Sequence, residues 1–293
     1  MEGVLVTIGM PVYNGELWLR ASLDSILNQT LSNFALVICD NASTDATPTI
    51  AKEYALKDSR IQYHRNDNNI GVYRNYNLTF SFARSKYFKW ASSNDLCRPE
   101  FLEKCVDILE TEPDAVLAYP KTMVFKSDEN DAEAYVYDPE IIDESPYLRF
   151  RDTLAKVRLS NMFNGVIVTD VLRKTSLNRV HAGSDVVLLA ELALYGKLRQ
   201  CDEYLFFRRM HPTASSATKD EGEAVDFFSA EDRDVFLTPS WDFYSSCLRV
   251  AVSAPLYWFQ RLQCIRYVLK RYMWGRKMLM SESLRWLRTF RKL

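Results

Sequence analysis

Short apolar runs alternate with helical segments over the first 120 residues, and this alternation limits the fold more than any other feature of the chain. The apolar runs have the length and composition of strands buried on both faces: "VLVTIGM", "FALVICD", "IQYH", "KYFKWAS" and "AVLAYP". Between them, apolar residues recur at helical spacing, as at Leu19, Leu23 and Ile26. The pattern predicts a mostly parallel sheet with helices on both faces, in which ligands bind at the carboxyl ends of the strands.

The pattern is different after residue 125. Residues 126–160 are acidic and have no clear period, which predicts an irregular, mobile segment over the site. Further on, two strands and a helix are predicted by "NGVIVTD", "YLFFRRM" and "SDVVLLAELALYG". Residues 218–240 are polar, and from Trp241 the pattern is helical to the end. We therefore predict an α/β domain followed by a helical C-terminal extension.

Composition is that of a globular protein. With 293 residues and 47% hydrophobic content, the chain can bury a large core. The first apolar stretch follows Glu2 and is interrupted by Pro11, so we expect no signal peptide. No apolar run approaches the roughly 20 residues that span a bilayer. The six cysteines form no C-x-x-C pair, which indicates free thiols in a reducing cytoplasm and no zinc site.

Charge is distributed unevenly along the chain. Residues 256–293 contain ten basic residues and one acid, Glu282, so this tail carries +9 and the remainder −10. Three interpretations stay open for the tail, which also contains many aromatic residues. It is an amphipathic helix on an anionic membrane surface, or its aromatic residues pack on the domain or on a second subunit, as in a homodimer. Nucleic-acid binding is disfavoured because no recognised module accompanies the charge.

Polar side chains follow the ends of four successive predicted strands. They are Tyr13 and Asn14, then Asp40 and Asn41, then Arg65, and then Ser93, Asn94 and Asp95. One polar strand end is ordinary, since loops carry polar residues for lack of backbone partners. Four such ends at one edge of a sheet predict a ligand with many polar groups.

The opening of the chain, "VTIGMPVYNGELWLRASLDSILNQTLSNFALVICDNASTDAT", resembles that of family-two glycosyltransferases. These are inverting enzymes of the GT-A fold that use nucleotide sugars, and "PVYN" and "CDNASTD" recur in them at this separation. The similarity extends over about residues 4–215. It implies a nucleotide-sugar-binding half at residues 1–120 and an acceptor-binding half at residues 121–217. Residues 218–293 would then be a linker and the basic helical extension.

The resemblance also implies a donor site. Asp40 would accept the imide N–H of uracil, whereas cytosine presents an acceptor at the same edge and would be rejected. The alternative for Asp40 is a turn residue that caps the next helix. The residues that the resemblance places around the base, ribose and diphosphate are Pro11, Tyr13, Asn14, Asp40, Asn41, Arg65, Gly71, Asn94 and His211. A UDP-sugar is therefore the expected donor.

A thinned acidic motif, one with fewer carboxylates than in the relatives, follows the fourth strand. Relatives carry two or three aspartates there, the last of which holds a divalent cation on the diphosphate. In "SSND", Asp95 keeps that last place, while Ser93 and Asn94 replace acidic or His neighbours. Because Mn²⁺ or Mg²⁺ is held by one or two carboxylates plus phosphate oxygens, Asp95 and His211 are the predicted ligands. The alternative is that Asp95 caps the helix opened by Pro99.

Two later segments complete the predicted site. Asp185, in "HAGSDVVLLAEL", matches the position of the general base, which takes the proton of the acceptor hydroxyl as the sugar inverts. Alternatively, Ser184 and Asp185 form a helix N-terminus, where an acid is stabilised by the dipole. In "FFRRMHPTASS", His211 matches a position that holds the diphosphate or the cation. Arg208 and Arg209 either assist it or face solvent.

The function that follows is inverting transfer of a sugar to a hydroxyl acceptor, a sugar or lipid-linked glycan, in polysaccharide or glycoconjugate synthesis. The thinned motif leaves open a non-catalytic nucleotide-sugar-binding protein. A sugar-nucleotide pyrophosphorylase or a dehydrogenase is disfavoured, because no Gly-rich phosphate loop follows any strand. The expected location is the cytoplasm, or the inner face of the membrane if the tail binds lipid.

Overall fold

The computed structural model describes residues 3–211 and 238–290. Nine strands form one sheet within these residues. They are β1 (Val6–Val12), β2 (Phe34–Asp40), β3 (Ile61–Arg65), β4 (Tyr87–Trp90), β5 (Leu96–Cys97), β6 (Ala115–Phe125), β7 (Glu133–Tyr135), β8 (Val166–Val168) and β9 (Lys197–Arg209). The helices are α1 (Leu19–Leu27), α2 (Thr47–Lys57), α3 (Val72–Ser81), α4 (Phe101–Thr111), α5 (Pro146–Lys156), α6 (Thr169–Leu172), α7 (Ser184–Tyr195), α8 (Pro239–Ser253) and α9 (Trp258–Phe290).

The strand order is β3-β2-β1-β4-β8-β6-β9-β5, with β7 paired to β6. The four strands β3, β2, β1 and β4 are parallel, as the alternation predicts. Beyond β4 the sheet is mixed, since β8 is antiparallel to both β4 and β6, while β6 and β9 are parallel. In the parallel part, Val12 lies opposite Asp40, and Asp40 opposite Arg65. The polar ends of these strands therefore meet at one edge.

The sheet is buried on both faces. Every residue of β1 and of β2 is buried, which explains their unbroken apolar sequences. On one face, Ile8 and Leu36 pack with Leu19 of α1. On the other, Trp90 stacks on the ring of Phe163, with 4.6 Å between ring centroids. The apolar packing on both faces holds the sheet, and with it the carboxyl ends of its strands, in a fixed position.

The prediction of an irregular segment over residues 126–160 is wrong in one respect. The segment contains β7 and the helix α5, which begins with Pro146 at its first turn. Phe150 and Leu154 of α5 are buried, as is Arg149, whose guanidinium donates to the carbonyl of Ala193 at 2.7 Å. An apolar stripe interrupted by basic and acidic residues is hard to recognise from composition alone.

The predicted helical C-terminal extension is present as α8 and α9. Both pack against α5 and α7 through buried side chains such as Val187, Cys247 and Val268. Most of the predicted linker, residues 218–237, lies outside the described residues. The predicted boundary at residue 120 falls inside β6, so the two halves share one sheet. Among the helices described, none combines the length and apolarity needed to cross a bilayer.

Candidate functional site

The loops after β1 and β2 are joined by hydrogen bonds from backbone N–H groups to side-chain oxygens. The N–H of Asn14 donates to Ser43 Oγ at 3.0 Å, and the N–H of Thr44 donates to Asn14 Oδ1 at 2.9 Å. Asn14 adopts φ +49°, a left-handed conformation that asparagine tolerates well. Beside it, Gly15 lies so close to Ser93 that a Cβ would stand 3.3 Å from its Oγ. The loops after β1, β2 and β4 thus form one continuous surface.

Asp40 stands at the centre of the β2 end. Its side chain has no solvent exposure. Oδ1 accepts the N–H of Ser43 at 2.8 Å, while Oδ2 accepts the hydroxyl of Tyr63 at 2.7 Å and lies 3.4 Å from Arg65 Nε. The turn-forming interpretation of Asp40 therefore agrees with these contacts. Contact with a base stays a prediction, and it would require these bonds to rearrange, because the carboxylate has no solvent exposure.

Side-chain amides continue this surface along the loop before α3. Asn41 is 3% exposed, and its Oδ1 accepts from Asn66 Nδ2 and from the N–H of Ile70, both at 2.9 Å. Its Nδ2 donates to Asn69 Oδ1 at 2.6 Å, which also accepts the N–H of Gly71 at 2.9 Å. Gly71 has φ +83°, so a side chain there would be strained. Neither Asn66 nor Asn69 has a predicted role. The high density of asparagine in "NDNNIG" is the sequence signal that could have indicated their part in this loop.

Three predicted donor residues line the rim above Asp40. Pro11 is buried within β1, opposite Cys39. Tyr13 is 49% exposed, so its ring is available to stack on a planar ligand. Arg65 donates to the carbonyl of Ser43 at 2.9 Å, and its side chain is 43% exposed. This edge thus offers one aromatic face and one cation to a ligand.

Asp95 belongs to the β4 end and is tied to β9. Its Oδ1 accepts the N–H of Arg209 at 2.9 Å, because β5 pairs antiparallel with β9. Burial raises the pKa of Asp95, while Arg208, the Arg209 N–H and Ser92 lower it. The alternative that Asp95 caps the next helix is not supported, because α4 begins after Glu100 with no side-chain cap.

His211 and Asn94 lie beside Asp95. Asn94 Nδ2 and His211 Nε2 are 2.8 Å apart, and the His211 ring lies 4.4 Å from the Trp18 ring. Across residues 3–211 and 238–290, no three His, Cys, Asp or Glu side chains are grouped as a metal site. Asp95 and His211 would hold a hard cation that takes its other ligands from phosphate and water only if the contact between His211 Nε2 and Asn94 were exchanged for the cation. The metal-binding role of the pair therefore stays a prediction.

The two arginines that end β9 have different environments. Arg209 is 7% exposed, and its guanidinium lies 4.4 Å from the Phe125 ring centroid, so the interpretation that it faces solvent is wrong. Arg208 donates to Asn161 Oδ1 at 2.8 Å, and Asn161 Nδ2 donates to Asp138 Oδ1 at 3.0 Å. Burial raises the pKa of Asp138. Arg208 therefore connects Asp95 to the second half of the domain.

Tyr76 of α3 is influenced by both predicted acidic groups. Its pKa is raised to about 12, mainly by burial and also by the charges of Asp95 and Asp185, while Ser92 and Arg208 act to lower it. The Tyr76 hydroxyl therefore lies within electrostatic reach of Asp95, Asp185 and Arg208. Nothing in the sequence marks Tyr76, because an inward tyrosine at helical spacing is typical of a core.

Asp185 lies in the first turn of α7 and is partly buried. Gly183, with φ +77°, precedes this helix. The Ser184 hydroxyl does not cap α7 and instead accepts the N–H of Arg179 at 2.6 Å. Asp185 therefore occupies a helix N-terminus and also faces the Tyr76 side of the site. Both interpretations of Asp185 agree with this position.

A buried lysine that has no predicted role lies behind the β4 end. Lys89 is 2% exposed, and its Nζ donates to the carbonyls of Trp90 at 3.1 Å and Asn164 at 2.5 Å. The ammonium also lies 4.2 Å from the Phe101 ring centroid. Burial lowers the pKa of Lys89. A lysine within an apolar strand gives no signal in sequence that its charge is buried.

Comparisons with known proteins agree on one family. A family model described as Glycosyl transferase family 2 matches residues 7–177. EpsH of Bacillus subtilis (strain 168) is 26% identical over 220 residues, 74% of this chain and 59% of that protein. The uncharacterized glycosyltransferase MJ1057 of Methanocaldococcus jannaschii is 33% identical over 142 residues, 48% of each chain. The chain thus spans about half the length of the curated relatives it matches.

Solved structures show the same fold. The crystal structure of S. aureus TarS 1-349 matches with a TM-score of 0.63 and 18% identity, covering 92% of this chain and 71% of that one. The structure of TarS 1-349 in complex with UDP-GlcNAc matches with a TM-score of 0.64 and 17% identity, covering 92% and 72%. The predicted fold, an α/β sheet with helices and a helical C-terminal part, is therefore confirmed.

Proposed function

The family model covers more than half of the chain, so the protein belongs to glycosyltransferase family 2, and we propose that it transfers a sugar from a nucleoside diphosphate donor to a hydroxyl acceptor with inversion. The single observation that carries this proposal is the meeting of the loops after β1, β2 and β4, where the Asn14 N–H bonds to Ser43 and Gly15 lies against Ser93. They meet at the carboxyl edge of the sheet, where α/β proteins bind ligands. The predicted donor residues Tyr13, Asp40 and Asp95 all belong to these strand ends.

Uridine is the proposed nucleoside of the donor. Tyr13 presents an exposed ring for stacking, and Asp40 would accept an imide N–H once the loop around it rearranges. Arg65, whose Nε lies 3.4 Å from Asp40 Oδ2, would contact a ribose or phosphate. The related fold of S. aureus TarS has been crystallised with UDP and with UDP-GlcNAc, which makes UDP-sugars the first donors to test.

Asp95 and His211 would hold a divalent cation, Mn²⁺ or Mg²⁺, on the diphosphate. When bound, such a cation neutralises the charge that develops on the leaving group. Arg208 supports the same task from the protein itself, because its guanidinium acts on Asp95 and Tyr76 from β9. The Arg209 N–H holds the Asp95 side chain in place, so little side-chain freedom would be lost when a cation binds.

Asp185 is the proposed general base. In an inverting displacement, a carboxylate must take the acceptor proton on the face opposite the leaving diphosphate. Asp185 lies in the first turn of α7, whose N-terminus stabilises its charge, and that charge acts on Tyr76 as the charge of Asp95 does. The proposed acceptor is a hydroxyl of a sugar or lipid-linked glycan, as expected for polysaccharide synthesis in the cytoplasm.

The test combines binding with turnover. Calorimetry with UDP, GDP, CDP and dTDP, each with and without Mn²⁺, should show the tightest binding for UDP with the cation. Nucleotide release from UDP-sugars should then rise with acceptor and fall by about 10²–10⁴-fold in Asp185→Asn, with UDP binding unchanged. Equal release by the variant would remove Asp185 from the reaction.

A second candidate is a nucleotide-sugar-binding protein without turnover. It is favoured by the single carboxylate, Asp95, in a motif that usually holds two or three. This candidate predicts tight UDP binding with no nucleotide release from any donor and acceptor pair. Release above the rate without protein would exclude it.

A further inference from the structure

Helix α9 has apolar residues on its solvent-facing side as well as on its packed side. Its packed side buries Cys264, Val268 and Leu279. On the opposite side, five apolar residues are 47–63% exposed and define what we call the outward stripe: Leu262, Leu269, Met273, Met280 and Leu284. They are spaced seven, four, seven and four residues apart, so they lie on one face of the helix.

Basic residues accompany the outward stripe. Arg266 and Lys277 follow the same spacing, Lys270 and Arg276 lie to either side, and all four are exposed. Lys270 Nζ also lies 4.8 Å from the centroid of the Trp274 ring, which is 67% exposed. This face therefore combines apolar side chains, cations and interfacial aromatic rings.

No carboxylate balances these cations on the described part of the face. The acid of this helix, Glu282, is 2% exposed and accepts the N–H of Ser240 at 3.1 Å, so it is turned toward the start of α8. An exposed apolar face with a uniform positive charge is complementary to a surface that is apolar beneath a negative layer.

We infer that the outward face of α9 docks on the surface of an anionic lipid bilayer. The helix lies parallel to the membrane, with the outward stripe among the upper acyl chains and Arg266 and Lys277 at the lipid phosphates. Exposed Trp258 and Trp274 lie at the headgroup level, where their rings bury and their N–H groups stay hydrated.

Charge argues against a second copy of the chain as the occupant. A two-fold dimer buries the same patch on both subunits, so the outward face would meet itself. Arg266, Lys270, Arg276 and Lys277 of both copies would then approach one another with no exposed acid of this helix to pair with. An anionic bilayer removes this repulsion.

Flotation of the full-length protein with vesicles tests the inference. It should float with vesicles of phosphatidylcholine and phosphatidylglycerol, remain unbound with phosphatidylcholine alone, and be released by high salt. Leu269→Glu with Met273→Glu should abolish flotation, because two carboxylates would enter the apolar layer. Arg266→Gln with Lys277→Gln should weaken partitioning roughly thirty-fold.

Matched controls lie on exposed positions elsewhere. Leu56→Glu, on a residue 89% exposed in α2, and Lys52→Gln with Lys174→Gln should float like the wild type. Thermal unfolding should show that all variants are folded. Equal flotation with both kinds of vesicle, or by the outward-stripe variant, would overturn the inference. So would a mass that halves in the outward-stripe variant without lipid, which would assign the face to a dimer. Vesicle binding needs no sugar transfer, so the proposed function is tested separately.

Discussion

Asp40 and Asp95 are two buried carboxylates at the same edge of one sheet, yet their surroundings differ. Asp40, after β2, accepts hydrogen bonds on both oxygens and also faces Arg65. Asp95, after β4, accepts the N–H of Arg209 on one oxygen, and burial raises its pKa. The partners of Asp40 come from its own loop and the next strand, whereas the hydrogen-bond partner of Asp95 is 114 residues away.

The difference indicates that Asp40 contributes mainly to the stability of the fold, whereas Asp95 contributes mainly to ligand binding. A carboxylate with both oxygens bonded stabilises the loop that presents the neighbouring residues, and its loss costs stability. A buried carboxylate whose pKa is raised by burial is costly to ionise in the empty protein and is stabilised once a cation binds. We therefore expect substitutions at the two ends to affect different measurements.

Asp95→Asn should give the largest effect, and it should act on activity. Sugar transfer should fall at least about 100-fold, because an amide binds a divalent cation more weakly than a carboxylate does. The free energy of unfolding should change by less than about 1 kcal/mol, since the amide oxygen still accepts the N–H of Arg209. Nucleotide release and urea denaturation measure the two quantities. The control is Asp107→Asn, an exposed acid on α4 that should alter neither. If the Asp95→Asn protein were unfolded, Asp95 would be needed for folding, and the proposed difference between Asp40 and Asp95 would be wrong.

Asp40→Asn should act mainly on stability rather than on activity. The amide N–H₂ would replace an acceptor facing the Tyr63 hydroxyl and Arg65, so we expect a loss of about 2 kcal/mol of unfolding free energy. For a chain of this size that corresponds to a Tm lower by roughly 4–8 °C, measurable by calorimetry. Asp67→Asn, in an exposed loop, should stay within about 0.5 kcal/mol of the wild type. Unchanged stability with lost UDP binding would show that Asp40 acts mainly as a ligand group.

Lys89→Met should give the smallest effect, and one that depends on pH. Burial lowers the pKa of Lys89, so the unfolded chain binds more protons than the folded one between the folded and the unfolded pKa. The stability of the wild type should therefore rise relative to Lys89→Met as the pH increases through that window toward the unfolded value of about 10.4. Urea denaturation at pH 7 and pH 9.5 measures this. Lys174→Met, at an exposed lysine, should show no such trend. A flat difference for Lys89→Met would mean that its ammonium is hydrated.

Local patterns in the sequence identify the β2 end almost completely. Strand β2 is an unbroken apolar run, and the polar residues after it bond within the next few tens of residues, as Asp40 does with Ser43 and Tyr63. Such contacts follow from strand order, which the alternation of strands and helices predicts.

The β4 end is less accessible to sequence reasoning. Asp95 bonds to Arg209, and Arg208 reaches Asp138 through Asn161, because of an antiparallel pairing of β5 with β9 that no local pattern reveals. Tyr76 and Lys89 have the spacing of core residues, so their polar atoms give no separate signal. The sequence pattern does not predict helix α5, because charged residues interrupt the buried stripe that Phe150 and Leu154 form.

Strand β6 has a mechanical consequence for the whole molecule. Its eleven residues pair with β8 and β7 along one side and with β9 along the other, and they run through the division at residue 120. Hinge-type opening between the two halves would break that ladder of hydrogen bonds, so bulk separation of the halves is excluded as a route of entry or exit. Ligands that bind at the carboxyl edge would instead enter between the loops that follow the strands.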